Sequence, residues 1–350
     1  MNRTRLMAFL LAILSASPVS RAQSAAPNRS GQVLAYFEHS GSYDSLTAFH
    51  SDVTQLSTDT FGVDVHGRVT GTAPTNALAL AKSKGMPTFA CISNFGAHDF
   101  DPKIAHAIIT SPKMRAGTIS RLLKLVREAG YSGINIDFES INREERTQFT
   151  AFVHEVAQKM RAAGYLTVVS VPATLKDNPN DGWTGAFDFA ALGRDADILQ
   201  VMTYDENGPW GKPGPVAGLP WMEQSIQFAV SVVAPQKLSL GIPVYGYDWN
   251  TSKGSGVMVH WKDIPALIAS TGASPQWDAE SSSPFFNYQA SDGSSHVVWY
   301  EDAKSIPLKS ALAASYKLAG VSVFALGYED SSFWQALRAG SGLNQVTTQQ

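Results

Sequence analysis

Gly133-Ile134-Asn135-Ile136-Asp137-Phe138-Glu139 is the stretch on which the reading of this chain turns. In an extended strand successive side chains point to opposite faces. Ile134, Ile136 and Phe138 then share one face, and Asn135, Asp137 and Glu139 share the other. The apolar face is suited to lie under helices. The polar face places two carboxylates and an amide in a row inside whatever the sheet encloses. Burying carboxylates is costly unless something compensates, so a strand of this kind points to chemistry.

Two amphipathic helices flank the strand. Ser111-Pro112 reads as an N-cap and first helical residue, and Gly130 as the stop. Between them Ile119, Leu122, Leu123 and Val126 recur on one face. The second helix is expected over 143–163, burying Phe149, Phe152, Val153, Val156 and Met160 and ending at Gly164. The same alternation extends outward. Strands are expected at 32–37, near 53–57, and at 87–93, 166–171, 198–204, 238–245 and 321–326. Helices are expected at 44–50, 74–84, 187–192, 221–233 and 303–318, with a short hairpin around His66-Gly67. Eight strands with helices between most of them form the pattern of a parallel sheet, and eight units point to an α/β fold of the (β/α)8 TIM-barrel type. A doubly wound open sheet is the alternative. It normally has fewer strands and often a Gly-rich first turn, and G-x-G-x-x-G is absent from the chain. Between Tyr247 and about Asp302 the connection is too long for a simple crossover. A helix at 261–270 and strands near 285–288 and 296–300, joined by Ser291-Asp292-Gly293, make it a small α+β insertion between strands seven and eight, at about 250–302. The barrel domain is expected to span 32–341, followed by a polar tail at 342–350.

Composition narrows the function. With 350 residues, 44% hydrophobic and 16% charged, the chain can bury a large core. A net charge of -3 and a pI near 6.2 give no electrostatic case for nucleic acid or an anionic membrane surface. Arg3 and Arg5, the apolar run 7–14 and Ser20-Arg21-Ala22 read as a signal peptide, residues 1–22, cleaved after Ala22 and followed by a polar spacer to residue 31. An uncleaved anchor is the alternative, although the apolar run is too short to span a bilayer and no later run spans one. The expected product is a secreted or periplasmic monomer with no membrane insertion. Cys91, the single cysteine, leaves no internal disulfide and is expected to be a buried thiol. The eight His show no H-E-x-x-H spacing and there are no paired Cys, so neither a metal nor another cofactor is expected.

In a barrel the active site lies at the carboxyl ends of the strands, which is where Asp137 and Glu139 fall. Mutual repulsion and burial raise the pKa of one carboxyl, and a carboxyl kept protonated near neutrality can serve as a general acid. The structural alternative is a carboxylate pair held by an Arg or Lys elsewhere in the chain.

Gly133 to Glu139 resembles the D-G-x-D-x-D-x-E motif of glycoside hydrolase family 18, the chitinase-like enzymes. Met202-Thr203-Tyr204-Asp205 resembles that family's sixth-strand M-x-Y-D, and Leu240-Gly241-Ile242-Pro243-Val244-Tyr245-Gly246 its seventh strand. The resemblance is greatest to the branch of spore-cortex peptidoglycan N-acetylglucosaminidases. That branch shows N-I-D-F-E, M-T-Y-D-E, a G-P-x-x-P-x-P-W-like loop and an insert ending in W-x-E-D. The corresponding residues here are 135–139, 202–206, 214–221 and 298–302.

The resemblance implies a retaining mechanism in which the substrate's 2-acetamido group replaces a protein nucleophile. It implies Glu139 as acid and base, Asp137 as partner of the acetamide, and Tyr204 as donor to its oxygen. Asn135, Met202, Asp205, Trp210, Tyr245, Phe324 and Tyr36 are implied substrate-binding positions. The implied partner is a glycan containing N-acetylglucosamine, either peptidoglycan or chitin-like, cut at β-1,4 bonds. Three departures stand out. Ser132 and Asn135 occupy positions where the motif has Asp, so the third carboxylate of the proton relay is missing, and Phe324 occupies the position of a sugar-stacking Trp. All eight Trp lie at or after Trp183, and Trp183, Trp210, Trp221 and Trp249 follow strand ends where rings could stack on sugar. A catalytically silent carbohydrate-binding protein on the same fold is the alternative, and the retention of Glu139 favours the enzyme.

Overall fold

The computed structural model describes residues 31–342. The expected signal peptide, the spacer up to residue 30 and the tail after Gly342 lie outside the described residues. The first half of the chain runs β1 (Gln32–Phe37), α1 (Gly41–Phe49), β2 (Gln55–Val63), β3 (Val69–Gly71), α2 (Thr75–Ser83) and β4 (Thr88–Ser93). It continues through α3 (Pro102–Ile109), α4 (Pro112–Ala129), β5 (Gly133–Asp137), α5 (Arg146–Ala162) and β6 (Leu166–Pro172). Next come α6 (Phe189–Asp195), β7 (Ile198–Met202), α7 (Leu219–Val232) and β8 (Leu238–Pro243). The insertion contributes β9 (Tyr245–Asn250), β10 (Ser255–His260), α8 (Ile264–Thr271), β11 (Gln276–Asp278), β12 (Ser283–Gln289) and β13 (Ser295–Trp299). The chain then returns through α9 (Ser305–Ser315), β14 (Gly320–Phe324) and α10 (Ser331–Ser341).

Eight parallel strands close on themselves in the order β1-β14-β8-β7-β6-β5-β4-β2, with β2 pairing back onto β1. This is the expected TIM barrel. Alternation along β5 sorts its side chains as the sequence predicts. Ile134, Ile136 and Phe138 are buried under the helices, and Phe138 stacks on Phe152 of α5 at 5.4 Å between ring centroids. Phe149, Phe152, Val153, Val156 and Met160 all form the buried face of α5. On α4, Ser111 caps the first turn by accepting from the Met114 amide, and Gly130 ends the helix at φ 76°. The left-handed C-cap is where glycine avoids a Cβ penalty.

Four local expectations are corrected. Strand two does not stop near Ser57 but runs on to Val63, and the hairpin around His66-Gly67 is its own continuation pairing with β3. Helix α3 was not anticipated, although Asp101 caps it and Pro102 opens it. Only Thr110 and Ser111 separate it from α4, so the two helices read as one tract. Helix α10 was also not anticipated, yet it buries Phe333, Trp334 and Leu337 and completes the ring. Finally, the insertion's sheet begins at Tyr245, so Tyr245 starts β9 rather than ending a barrel strand. That sheet is antiparallel, in the order β10-β9-β13-β12-β11.

A buried ion pair clamps the insertion to the barrel. The Lys309 ammonium on α9 lies 2.6 Å from both Glu301 carboxylate oxygens and 2.9 Å from Ser283 Oγ on β12. Asp302 caps α9 by accepting from the Lys304 and Ser305 amides. The Trp-Tyr-Glu-Asp stretch singled out in the sequence is therefore a structural joint, and none of its residues lines the cavity at the barrel mouth.

Candidate active site

The carboxyl ends of the barrel strands open into a cavity of about 540 Å³. Its lining includes Tyr36, Asp59, Asp99, Asp137, Glu139, Ser170, Met202, Tyr204, Asp205, Glu206, Tyr245 and Phe324, with Trp183, Trp210, Trp221 and Met258 at its walls. Among the described residues no Lys, Arg or His lines it. The structural alternative, a carboxylate pair held by a cation, is thereby excluded for Asp137 and Glu139.

Strand β5 ends at Asp137, and Glu139 lies just past it, before Ser140 turns at φ 53°. Asn94 fixes this exit. Its side-chain oxygen accepts from the Glu139 amide at 2.8 Å, and its Nδ2 donates to the Glu139 carbonyl at 2.9 Å. Burial, then the charges of Asp137 and Asp205 and more weakly of Asp59 and Asp99, push Glu139 well above the usual carboxylate range. That direction favours the protonated acid. Asp137 is also raised, first by burial and then by the charge of Asp59, with a Ser170 hydrogen bond opposing the shift. One of its oxygens, Oδ1, is buried without a hydrogen-bond partner.

Tyr204 and Asp205 follow the end of β7. Burial keeps the Tyr204 phenol protonated and able to donate. Gly241 on β8 makes room for its ring, since a Cβ there would lie 2.8 Å from Tyr204 Cε1. Asp205 sits at φ 60°, and the hydroxyls of Tyr245 and Tyr247 both donate to its Oδ1 at 2.8 Å. Its pKa is nevertheless raised, because burial outweighs those two bonds. Phe324, at the end of β14, forms an apolar floor. Its ring lies 5.7 Å from Tyr36, 6.0 Å from Tyr204 and 6.4 Å from Tyr245.

Nine of the ten residues singled out in the sequence thus face one cavity. Asn135 is the exception. It lies fully buried beneath the cavity floor, with its Nδ2 donating to Tyr36 Oη at 2.8 Å and Ser57 Oγ at 3.2 Å and its Oδ1 accepting from Ser170 Oγ at 3.3 Å. With both ends of its amide engaged it braces the floor from below. Of the four Trp expected at strand ends, Trp183, Trp210 and Trp221 line the cavity, with Trp210 77% exposed. Trp249 is 1% exposed and belongs to the core.

The residue that sequence reasoning missed is Asp59. It lies on the inward face of β2, where its register partner is Cys91 on β4. A carboxylate oxygen of Asp59, the Cys91 sulfur and a carboxylate oxygen of Asp137 all lie within 4.8 Å of one another. These donors have the closeness of a metal-ligand set, although no ligand spacing in the chain points to one. Ligation would require the thiolate. Burial and the charges of Asp59 and Asp137 push the Cys91 thiol well up, and it donates a hydrogen bond to Asp59. The alternation along β2 carries the signal for Asp59, once the strand is allowed to run past Ser57.

Residues 32–329 match the model of the glycosyl hydrolases family 18. The chain belongs to this family. Within its range of relatives, the chain is 42% identical over 303 residues to the uncharacterized glycosylase YvbX of Bacillus subtilis (strain 168), covering 86% of this chain and 88% of that protein. It is 24% identical over 322 residues to the cortical fragment-lytic enzyme of the same organism, covering 89% and 75%. A solved chitinase from Chromobacterium violaceum ATCC 12472 superposes with a TM-score of 0.85 at 39% identity, covering 89% of this chain and 99% of that one. The protein is a chitinase-like glycosidase of family 18, on a barrel the family shares. No helix among the described residues is long and apolar enough to cross a membrane.

Proposed function

We propose that the protein is an exported retaining hydrolase that cuts β-1,4 bonds next to N-acetylglucosamine, with the substrate's 2-acetamido group as the nucleophile. The observation that carries this is the convergence of Glu139, Asp137 and Tyr204 on one cation-free cavity floored by Phe324. A protonated Glu139 gives its proton to the leaving glycosidic oxygen. The acetamide carbonyl oxygen attacks the anomeric carbon as the C–O bond breaks, forming a cyclic oxazolinium. Ionised Asp137 accepts from the acetamide N–H and offsets the positive charge, while the Tyr204 hydroxyl donates to the acetamide oxygen. Glu139, now a carboxylate, takes a proton from the water that opens the ring. Two displacements return the original anomeric configuration. The two tyrosine bonds to Asp205 Oδ1 leave its Oδ2 open to a sugar hydroxyl.

The relatives named for chitin and for cortical fragments bracket the substrate. A lining that among the described residues holds no Lys, Arg or His suits an uncharged N-acetylglucosamine unit at the reacting position. Product analysis on chitin oligosaccharides and on peptidoglycan, side by side, tests the assignment. New reducing ends at N-acetylglucosamine and inhibition by a thiazoline mimic of the oxazolinium are expected. Binding without cleavage of either glycan supports the silent, carbohydrate-binding alternative, and cleavage that ignores the thiazoline rules out the substrate-assisted route.

A further inference from the structure

The motif position that supplies a third carboxylate in the family is Asn135 here, and Asn135 is closed off under the floor by its own hydrogen bonds. A carboxylate reaches Asp137 from a different strand. Register pairs Asp59 of β2 with Cys91 of β4, and Cys91 with Asn135 of β5. Asp59 therefore stands in one row with Asn135, one strand removed, and its oxygen comes within 4.8 Å of one on Asp137.

We infer that Asp59 is the proton-sharing partner of Asp137: the two carboxyls hold one proton between them, and Asp59 keeps it while Asp137 engages the acetamide. Like charges at this separation in a buried site cannot both ionise freely. Among the described lining residues there is no cation to relieve them. Asp137 Oδ1, buried and unpartnered, is the open end of the pair. The Cys91 thiol between them donates to Asp59, which gives the single cysteine a place in the arrangement. The other ionisable groups that act on the pair are Glu38 beyond β1, Glu139 beyond β5, and the hydroxyls of Tyr36 and Tyr204. None of these, nor the Tyr328 phenol that also feels Asp59, is a cation, so none relieves the repulsion within the pair, and Glu38 raises Asp59 further. When substrate enters, the proton moves from Asp137 to Asp59. No bond other than that O–H changes, and no co-reactant is needed. Asp59 is thus a positioning residue that acts through Asp137.

This rests on the hydrolase reading, so the test has one arm that does not need activity. In Asp59→Asn the negative neighbour is gone. Carboxyl 13C NMR titration of the folded variant is expected to show the Asp137 midpoint displaced by about one unit or more toward acid relative to the unsubstituted protein. An unmoved midpoint overturns the pairing whether or not the protein cleaves glycan. In the kinetic arm, Asp137 of Asp59→Asn stays ionised to lower pH, so kcat/KM at pH 5 is expected to be about fivefold or more above that of the unsubstituted protein. The acid limb of kcat/KM is expected to move the same way, and Asp59→Glu to bring it part of the way back. A fall in activity with the acid limb in place marks a merely structural role and overturns the inference. A Cys91→Ser variant, whose hydroxyl can still donate to Asp59, keeps the limb within a few tenths of a unit of the original if the thiol only supports the pair. A limb displaced as far as that of Asp59→Asn moves the proton-sharing role from Asp59 to Cys91.

Discussion

Asp59 and Asp137 stand on barrel strands that are not neighbours, yet a carboxylate oxygen of each lies within 4.8 Å of the other, with a thiol and no cation beside them. Around this pair burial and like charge raise Glu139, and burial keeps the Tyr204 phenol a donor. The division of labour among these groups leads to separate measurable consequences.

Glu139→Gln preserves shape and removes the transferable proton. Turnover on chitin oligosaccharides is expected to fall by about 10²- to 10⁴-fold, the range of general acid catalysis, with ligand affinity largely retained. Steady-state kinetics together with calorimetric binding of an oligosaccharide checks this. Turnover near that of the unsubstituted protein rules out Glu139 as the acid.

The pH profile of kcat/KM should be bell-shaped, with its limbs assigned by sign. Asp137 works as the carboxylate, and its pKa is raised to about 7 while that of its partner Asp59 is raised to about 6. Activity is therefore lost as pH falls through this range, with apparent values that belong to the pair. Glu139 works as the acid, and its raised pKa places the loss at the alkaline side. The optimum is expected near or above neutrality. A plateau extending unchanged to pH 5 contradicts the assignment.

The same groups weaken the fold. Asp137 has a folded pKa of about 7, above its ordinary value of 3.8. Between those values the folded state binds more protons than the unfolded state, so stability declines as pH rises from about 4 to 7. Asp137→Asn cannot ionise and escapes that decline. It is expected to gain on the order of 2 kcal/mol over the unsubstituted protein at pH 8, with the gap closing toward pH 4. Thermal melts at three pH values measure this, and a pH-independent gap contradicts it.

Trp210 is 77% exposed at the cavity wall, where it buries nothing that the fold requires. Trp210→Ala is expected to raise KM for long oligosaccharides about five- to tenfold, equivalent to about 1 kcal/mol of ring stacking, and to leave the melting temperature unchanged. An equal change in KM for the shortest cleavable substrate places the ring at the reacting subsite rather than along the chain.

Much of this site is legible in the chain itself because it is built on local periodicity. Period-two alternation alone separates Ile134, Ile136 and Phe138 from Asp137 and Glu139, and burial follows that division. Capping chemistry at Ser111 and Gly130 sets the ends of α4 for equally local reasons. Tyr204, Asp205 and Phe324 are found by the resemblance of their segments to the family's motifs. These are properties of a few consecutive residues, and a linear string displays them.

Asp59, Asn135 and Trp249 show where such reading stops. Asp59 was missed because its strand continues past the point where composition suggested an end. Asn135 has the alternation of a cavity residue, yet its depth in the barrel and its bonds to Tyr36, Ser57 and Ser170 put it below the floor. Trp249 follows a strand end as Trp183 does, but the insertion's sheet covers it. Fold class and the shared polar face of Asp137 and Glu139 are legible in side-chain periodicity within single segments, and the resemblance to the family adds the roles expected of them. The proton-sharing neighbour, the tyrosine brace on Asp205 and the choice of exposed rings were settled only when the barrel closed, because each depends on distances between strands far apart in the chain.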